Sequence, residues 1–260
     1  MKKDYYTIKQ PLIRKFIEDS TRVAMKTPSI HGVIKVDITE ANKKIKEQNN
    51  ISDQKISLTS YILSCISKAV ETNLSLQAYK TFNGKLFIFN DVDILLPIEV
   101  KIDKQYFPII HLLRKINKMS ISEINNEILN TKKVGRSNSI SKKQTVILFA
   151  FYLLPGFLRR MIFSFLLKFP LVQRNYLGTV GVTAVGMFGT GDSFGIGIPN
   201  HSLTITLGGI YTAPAIFDKQ VCERKYINIT ISVNHDIVDG APAARFTKTL
   251  KTMIEKCIGL

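Results

Sequence analysis

The chain has no tryptophan and only three cysteines, Cys65, Cys222 and Cys257, among its 260 residues. They are widely spaced, and no Cys-x-x-Cys pair occurs. Neither a disulfide framework nor a cysteine zinc site is indicated, and a reducing cytoplasm is the expected setting. A secretory leader is lacking too. Met1-Lys2-Lys3-Asp4-Tyr5-Tyr6 opens on basic residues with no apolar run behind them, so the mature protein is expected to begin at residue 1. Nor is there an uninterrupted stretch of the about 20 apolar residues that a transmembrane helix needs. Acidic residues are missing from one long stretch: Ile128 to Gly191 contains no Asp or Glu.

What is present is an ordinary globular composition, 45% hydrophobic and 22% charged, enough to bury a sizeable core. The net charge of +16 calls for an anionic partner: nucleic acid, an anionic membrane or a phosphorylated cofactor. Much of the excess lies in the acid-free stretch, at Lys132, Lys133, Arg136, Lys142, Lys143, Arg159, Arg160, Lys168 and Arg174. These cations are interleaved with apolar residues and carry no recognition motif. Nucleic acid is therefore set aside in favour of anionic lipid or coenzyme A phosphates. Gly189 to Gly195 lacks the Gly-Lys-Ser/Thr ending of a phosphate loop and reads as a turn.

Periodicity gives a mixed α and β order. Helices are expected over Pro11–Thr27, from an N-cap at Ser57 to about Asn73, over Ser120–Asn130 and over Ala241–Cys257. Strands are expected at Ile30–Ile38, Lys85–Phe89, Val92–Ile102, Thr179–Ala184, Leu203–Tyr211 and Tyr226–Val233, the last with a clean period of two. Val146–Leu154 leads through Pro155-Gly156 into Phe157–Leu167. Pro155, Gly156, Arg159 and Arg160 break that run too early for it to span a membrane. It reads either as a pair of buried helices lining the core, or as an interfacial helix pair or the wall of a site for a fatty chain.

Between the last strand and the last helix stands Asn234-His235-Asp236-Ile237-Val238-Asp239-Gly240, the pattern His-x-x-x-Asp-Gly. A histidine at a strand end, before a turn that opens a helix, is held by rigid elements and presented to a cleft. Histidine side chains ordinarily titrate near 6.5, so a neutral imidazole can take a proton from a thiol, alcohol or amine attacking a thioester. Asp239 would brace the turn, and Gly240 would let the chain leave at an angle that a side chain obstructs. The plainer reading makes His235 a hydrogen-bonded strand-end residue and Asp239 an N-cap.

The run from Ser232 to Phe246 resembles the C-terminal signature of dihydrolipoyl acyltransferase catalytic domains and, more distantly, of chloramphenicol acetyltransferases. Gly178–Gly189 and Leu207-Gly208-Gly209-Ile210 resemble that family's strand, glycine turn and next core strand. The resemblance implies an α/β fold, a two-layer mixed sheet with flanking helices, in one catalytic domain over 1–260 with a basic apolar insertion at about 134–176. It implies His235 as general base, Asp239 with it, and Thr183 as hydroxyl donor to the tetrahedral oxyanion. Arg14 would pair with Asp239, with Asn234 and Gly240 supporting the site. The donor would be acyl-coenzyme A or an acyl carrier protein thioester, the acceptor a small or lipid-like amine, hydroxyl or thiol, with no covalent intermediate and no metal. A homotrimer with each site between two subunits is implied, which puts Thr183 and His235 on different chains.

Three departures bear on this. The complex-forming acyltransferases usually have Asp-His-Arg where Asn234-His235-Asp236 stands here. No stretch has room for a lipoyl domain, so a stand-alone enzyme is expected. The segment Gln144–Tyr176 has no counterpart, and a long or lipid-like acyl chain or acceptor is expected from it. Location is expected to be cytoplasmic, with an anionic inner membrane surface as a peripheral partner. The competing expectation is a catalytically idle trimeric scaffold, or a membrane-surface binding protein, of the same fold.

Overall fold

The computed structural model describes residues 4–7, 12–102, 105–134, 151, 153–184, 191–217 and 219–260. The readings for Pro11, for most of the basic connection (135–143), for the apolar run at 146–150 and for the glycine turn at 185–189 lie outside these residues. The helices are α1 (Leu12–Ala24), α2 (Thr39–Ile51), α3 (Leu58–Glu71), α4 (Ile121–Val134), α5 (Gly156–Leu166), α6 (Pro170–Leu177) and α7 (Gly240–Glu255). The strands are β1 (Ser29–Asp37), β2 (Tyr79–Lys80), β3 (Leu86–Phe87), β4 (Ile94–Ile102), β5 (Gln105–Leu113), β6 (Val180–Ala184), β7 (Leu203–Phe217) and β8 (Gln220–Asn234).

Six strands form one mixed sheet in the order β1-β8-β7-β6-β4-β5, with β4, β6 and β7 mutually parallel. Strand alternation divides it into two unlike faces. Ile227, Ile229, Ile231 and Val233 of β8 are buried in the main core with Leu203, Ile205 and Leu207 of β7. That face is covered by α3, α4 and α7. Ser57 caps α3 as expected, in a reciprocal pair with Ser60. Every residue of α3 from Ser60 to Ser67 is buried, so it is the central core helix rather than a helix with one apolar stripe. Tyr61 Oη ties it to α7 by donating to the Met253 carbonyl at 3.0 Å.

The other face is polar along β7 and β8, through Thr204, Thr206, Asn228, Thr230 and Ser232, and apolar along β4 and β5. Over the apolar part lie α1, α5 and α6. The expectation of a buried helix pair from the 146–167 segment is corrected here. In α5 only Arg159 is buried, while Phe157, Met161 and Phe165 are 67%, 60% and 59% exposed. The helix packs against α1 instead, because burying Arg159 beside Asp19 fixes which side faces inward. Among the described residues no helix is long and apolar enough to cross a membrane. The strand expected at Lys85–Phe89 shrinks to Leu86–Phe87, paired with Tyr79–Lys80.

Candidate active site

The turn that carries His235 is fixed by its backbone. Asn234 N–H donates to the Ser202 carbonyl at 2.9 Å and His235 N–H to the Pro28 carbonyl at 2.8 Å, tying the strand end to the approaches of both β7 and β1. The Asn234 carbonyl accepts from the N–H groups of Ile237 (3.1 Å) and Val238 (2.9 Å), and its side-chain oxygen accepts from Asp236 N–H at 2.9 Å. Val238, 2% exposed, plugs the turn into the core. On this rigid mount His235 itself is exposed.

Asp239 occupies the N-cap position of α7, yet its carboxylate makes no capping hydrogen bond. The plainer capping reading thus holds for its position but not for a side-chain bond. The steric reason expected for Gly240 is not found within one chain: an added Cβ would meet nothing within 4 Å, and its φ is not positive. The Arg14–Asp239 ion pair is likewise not formed among the described residues. Arg14 lies exposed on α1, where it borders a cavity.

Thr183 is half-buried on β6. It stands opposite Thr206, and Thr206 stands opposite Thr230 on β8, so three threonines lie side by side across adjacent strands. Asn234 is four residues farther along β8. At about 3.3 Å per residue and about 4.8 Å per strand spacing, the Thr183 and Asn234 backbones are about 16 Å apart in one chain.

A cavity of about 820 Å³ opens between the apolar sheet face and helices α1, α5 and α6. Asn234 and Ile237, on either side of His235, line one part of it. His201 also lines it and had no motif to betray it. Its Nε2–H donates to the Leu177 carbonyl at 2.7 Å, and burial holds its pKa below the ordinary histidine value. Nδ1 of this neutral ring faces Gly181, where a Cβ would sit 2.6 Å away. The only hint in sequence is the polar trio Asn200-His201-Ser202 placed directly before a strand.

The catalytic-domain model of the 2-oxoacid dehydrogenase acyltransferases matches residues 2–146 and 175–260. A dihydrolipoyllysine-residue acetyltransferase component of the pyruvate dehydrogenase complex from Zymomonas mobilis is 29% identical over 83 residues, 32% of this chain and 19% of that protein. This chain thus spans about a fifth of the length of such a relative. Among solved structures, a probable dihydrolipoamide acetyltransferase from Listeria monocytogenes superposes with a TM-score of 0.73 at 18% identity, covering 97% of this chain and 95% of that one. The dihydrolipoamide acetyltransferase of Azotobacter vinelandii gives 0.70 at 14% identity over 97% and 93%; a serine, a histidine and an asparagine have been investigated for their role in its catalytic mechanism. A chloramphenicol acetyltransferase shares the fold with a TM-score of 0.53 at 12% identity, over 95% and 100%. With the family model covering all but the segment 147–174 of the chain after Met1, the chain belongs to the 2-oxoacid dehydrogenase acyltransferase catalytic-domain family.

Proposed function

We propose that the chain transfers an acyl group from a coenzyme A or carrier-protein thioester to an amine, hydroxyl or thiol, with His235 as general base. The observation that carries this reading is the mount of His235: an exposed imidazole on a turn bonded to two neighbouring segments, next to a cavity. Thr183 and Asp239 stand at the same separations from His235 as the serine and the asparagine do from the histidine in the Azotobacter vinelandii enzyme.

In the proposed step His235 takes the proton of the acceptor as its heteroatom attacks the thioester carbonyl. The resulting oxyanion accepts a hydrogen bond from a Thr183 hydroxyl. Collapse expels the thiolate, which recovers the proton from the imidazolium, so no bond to the enzyme forms. Base and donor must each lie about 3 Å from the reacting group. The about 16 Å between their backbones in one chain favours a site assembled from two copies, consistent with a trimer.

The test is free-thiol release from a panel of acyl-coenzyme A donors with mixed amine and alcohol acceptors. Acceptor-dependent release is expected from the wild type and its loss, by about 100-fold or more, from His235→Ala. Release untouched by the substitution would remove His235 as the base.

A second reading concerns location. Phe157, Met161 and Phe165 form an exposed stripe at successive turns of α5, beside Arg160 and the exposed Lys168. An anionic membrane surface matches that mixture of apolar and basic groups. Co-sedimentation with phosphatidylglycerol vesicles, absent with phosphatidylcholine alone and lost in Phe157→Ser/Phe165→Ser, is the expected result. Equal sedimentation with both lipids would refute it.

A further inference from the structure

The cavity beside the His235 turn is built partly from residues that this chain adds to its family's pattern. The family match stops at 146 and resumes at 175, and α5 and most of α6 fall in that gap. Phe163 and Leu167, and Gln173 beyond them, form the wall that the gap supplies. Val23 and Ala24 of α1 provide the facing wall, and Leu95, Pro97 and Ile110 of the sheet the floor.

That wall is locked in place. Arg159 Nε donates to Asp19 Oδ2 at 2.6 Å and Arg160 Nη1 to Asp19 Oδ1 at 3.4 Å, while Arg159 Nη1 reaches the Leu154 carbonyl at 2.7 Å. Asp19 and Arg159 are both buried. A charge pair withdrawn from water holds only where its geometry is good, so α5 is fixed against α1 at a set distance. The space between them is part of the fold rather than a loose flap.

Its polarity is graded. The sheet floor and the side made by Phe163 and Leu167 are apolar, whereas the α1 side alternates Ile17, Val23 and Ala24 with the hydroxyls of Ser20, Thr21 and Thr27. Hydrogen-bonding groups gather on Asn200, His201, Ser202 and Asn234, which are joined to one another through the Asn234 N–H to Ser202 carbonyl bond. Ligand pockets commonly measure about 300–1,000 Å³ and pair apolar walls with a few polar groups that fix orientation. A ligand that fits here is apolar along most of its length and carries one polar end at Asn234, the residue before His235.

We propose that this cavity binds an unbranched aliphatic chain of medium or greater length, with its functional group at the Asn234 end. The proposal rests on the acyltransferase reading only for the identity of that group: the chain is either the acyl part of the donor or the tail of the acceptor.

The experiment uses the intact chain and separates binding from turnover. Calorimetric titration with acetate, octanoate and dodecanoate is expected to show binding that strengthens with chain length. Ala24→Phe and Ser20→Phe, each filling the cavity from α1, should weaken dodecanoate binding by about tenfold or more. Met25→Phe, on the exposed side of the same helix, should not; retention of melting temperature and oligomeric state by at least one filling variant excludes misfolding. Equal affinity for acetate and dodecanoate, or filling variants that bind as the wild type does, overturns the proposal. Thiol release then distinguishes the two sources: the filling variants lose long-chain donors while keeping acetyl-coenzyme A, or lose long-chain acceptors whatever the donor. Chain binding without any thiol release would leave this proposal standing and sink the acyltransferase reading. Acetyl transfer without chain binding would do the reverse.

Discussion

Gly181 and His201 press against each other on the cavity side of the sheet. A methyl group at 181 would lie 2.6 Å from Nδ1 and 3.2 Å from Cε1 of a ring already pinned through Nε2. Gly181→Ala is expected to lower stability by about 1–3 kcal/mol, read from denaturant midpoints. The same ring gives a pH signature. Its folded pKa lies below the unfolded value of about 6.5, so just below that pH the unfolded chain holds the extra proton and the fold loses stability as pH falls. His201→Gln, which keeps a donor for the Leu177 carbonyl, should flatten the slope of stability between about pH 7 and 5 by up to about 1.4 kcal/mol per pH unit. Identical slopes for the two proteins would show that His201 does not titrate on unfolding. Of the four histidines, sequence marks His235 because its neighbours Asp239 and Gly240 form a pattern. His201 leaves no such trace, since its partners are the Leu177 carbonyl and a glycine twenty positions away that meet it only in the fold.

At the scale of elements, the ion pair between α1 and α5 governs how firmly the cavity wall is held. Arg159→Met leaves Asp19 buried with only the longer Arg160 contact, a loss of about 3 kcal/mol by the usual cost of stripping one partner from a buried pair. Hydrogen exchange should show α5 and the facing turn of α1 losing protection before α3 does; uniform loss across the molecule would mean that the pair supports the whole fold instead. Helices α3 and α7 were legible because their apolar residues recur at helical spacing. Strand β5 was not, because Pro108 interrupts Gln105–Leu113; the strand lies at the sheet edge, where a missing backbone donor is tolerated. Helix α2 was missed for another reason: of its thirteen residues only Ala41 and Ile45 are buried, too few to set a period. The packing of α5 on α1 was not legible, because the contact that sets it is with Asp19, far back in the chain.

For the whole molecule, the separation of Thr183 from His235 makes a prediction about mixtures. Thr183→Val should cost about 100-fold in rate through loss of the oxyanion donor. If each site takes its base from one copy and its hydroxyl from the next, then mixing this variant with His235→Ala and allowing subunits to exchange should restore about a quarter of wild-type activity. No recovery after verified exchange would place both groups in one chain. Assembly has a counterpart in the long β7–β8 hairpin. Its inner half is buried between neighbours, whereas from Ala213 to Phe217 and Gln220 to Arg224 the two strands pair, among the described residues, only with each other, and Ile216 and Val221 are 79% and 77% exposed. A lone two-stranded ribbon is marginal in water. Refolding should therefore proceed in two kinetic stages: a first-order phase that forms the six-stranded core, then a slower phase whose rate rises with protein concentration as the ribbons find something to rest on. In the interval the chain carries a sticky, unpaired arm, and the competition during biogenesis is between partner capture and aggregation.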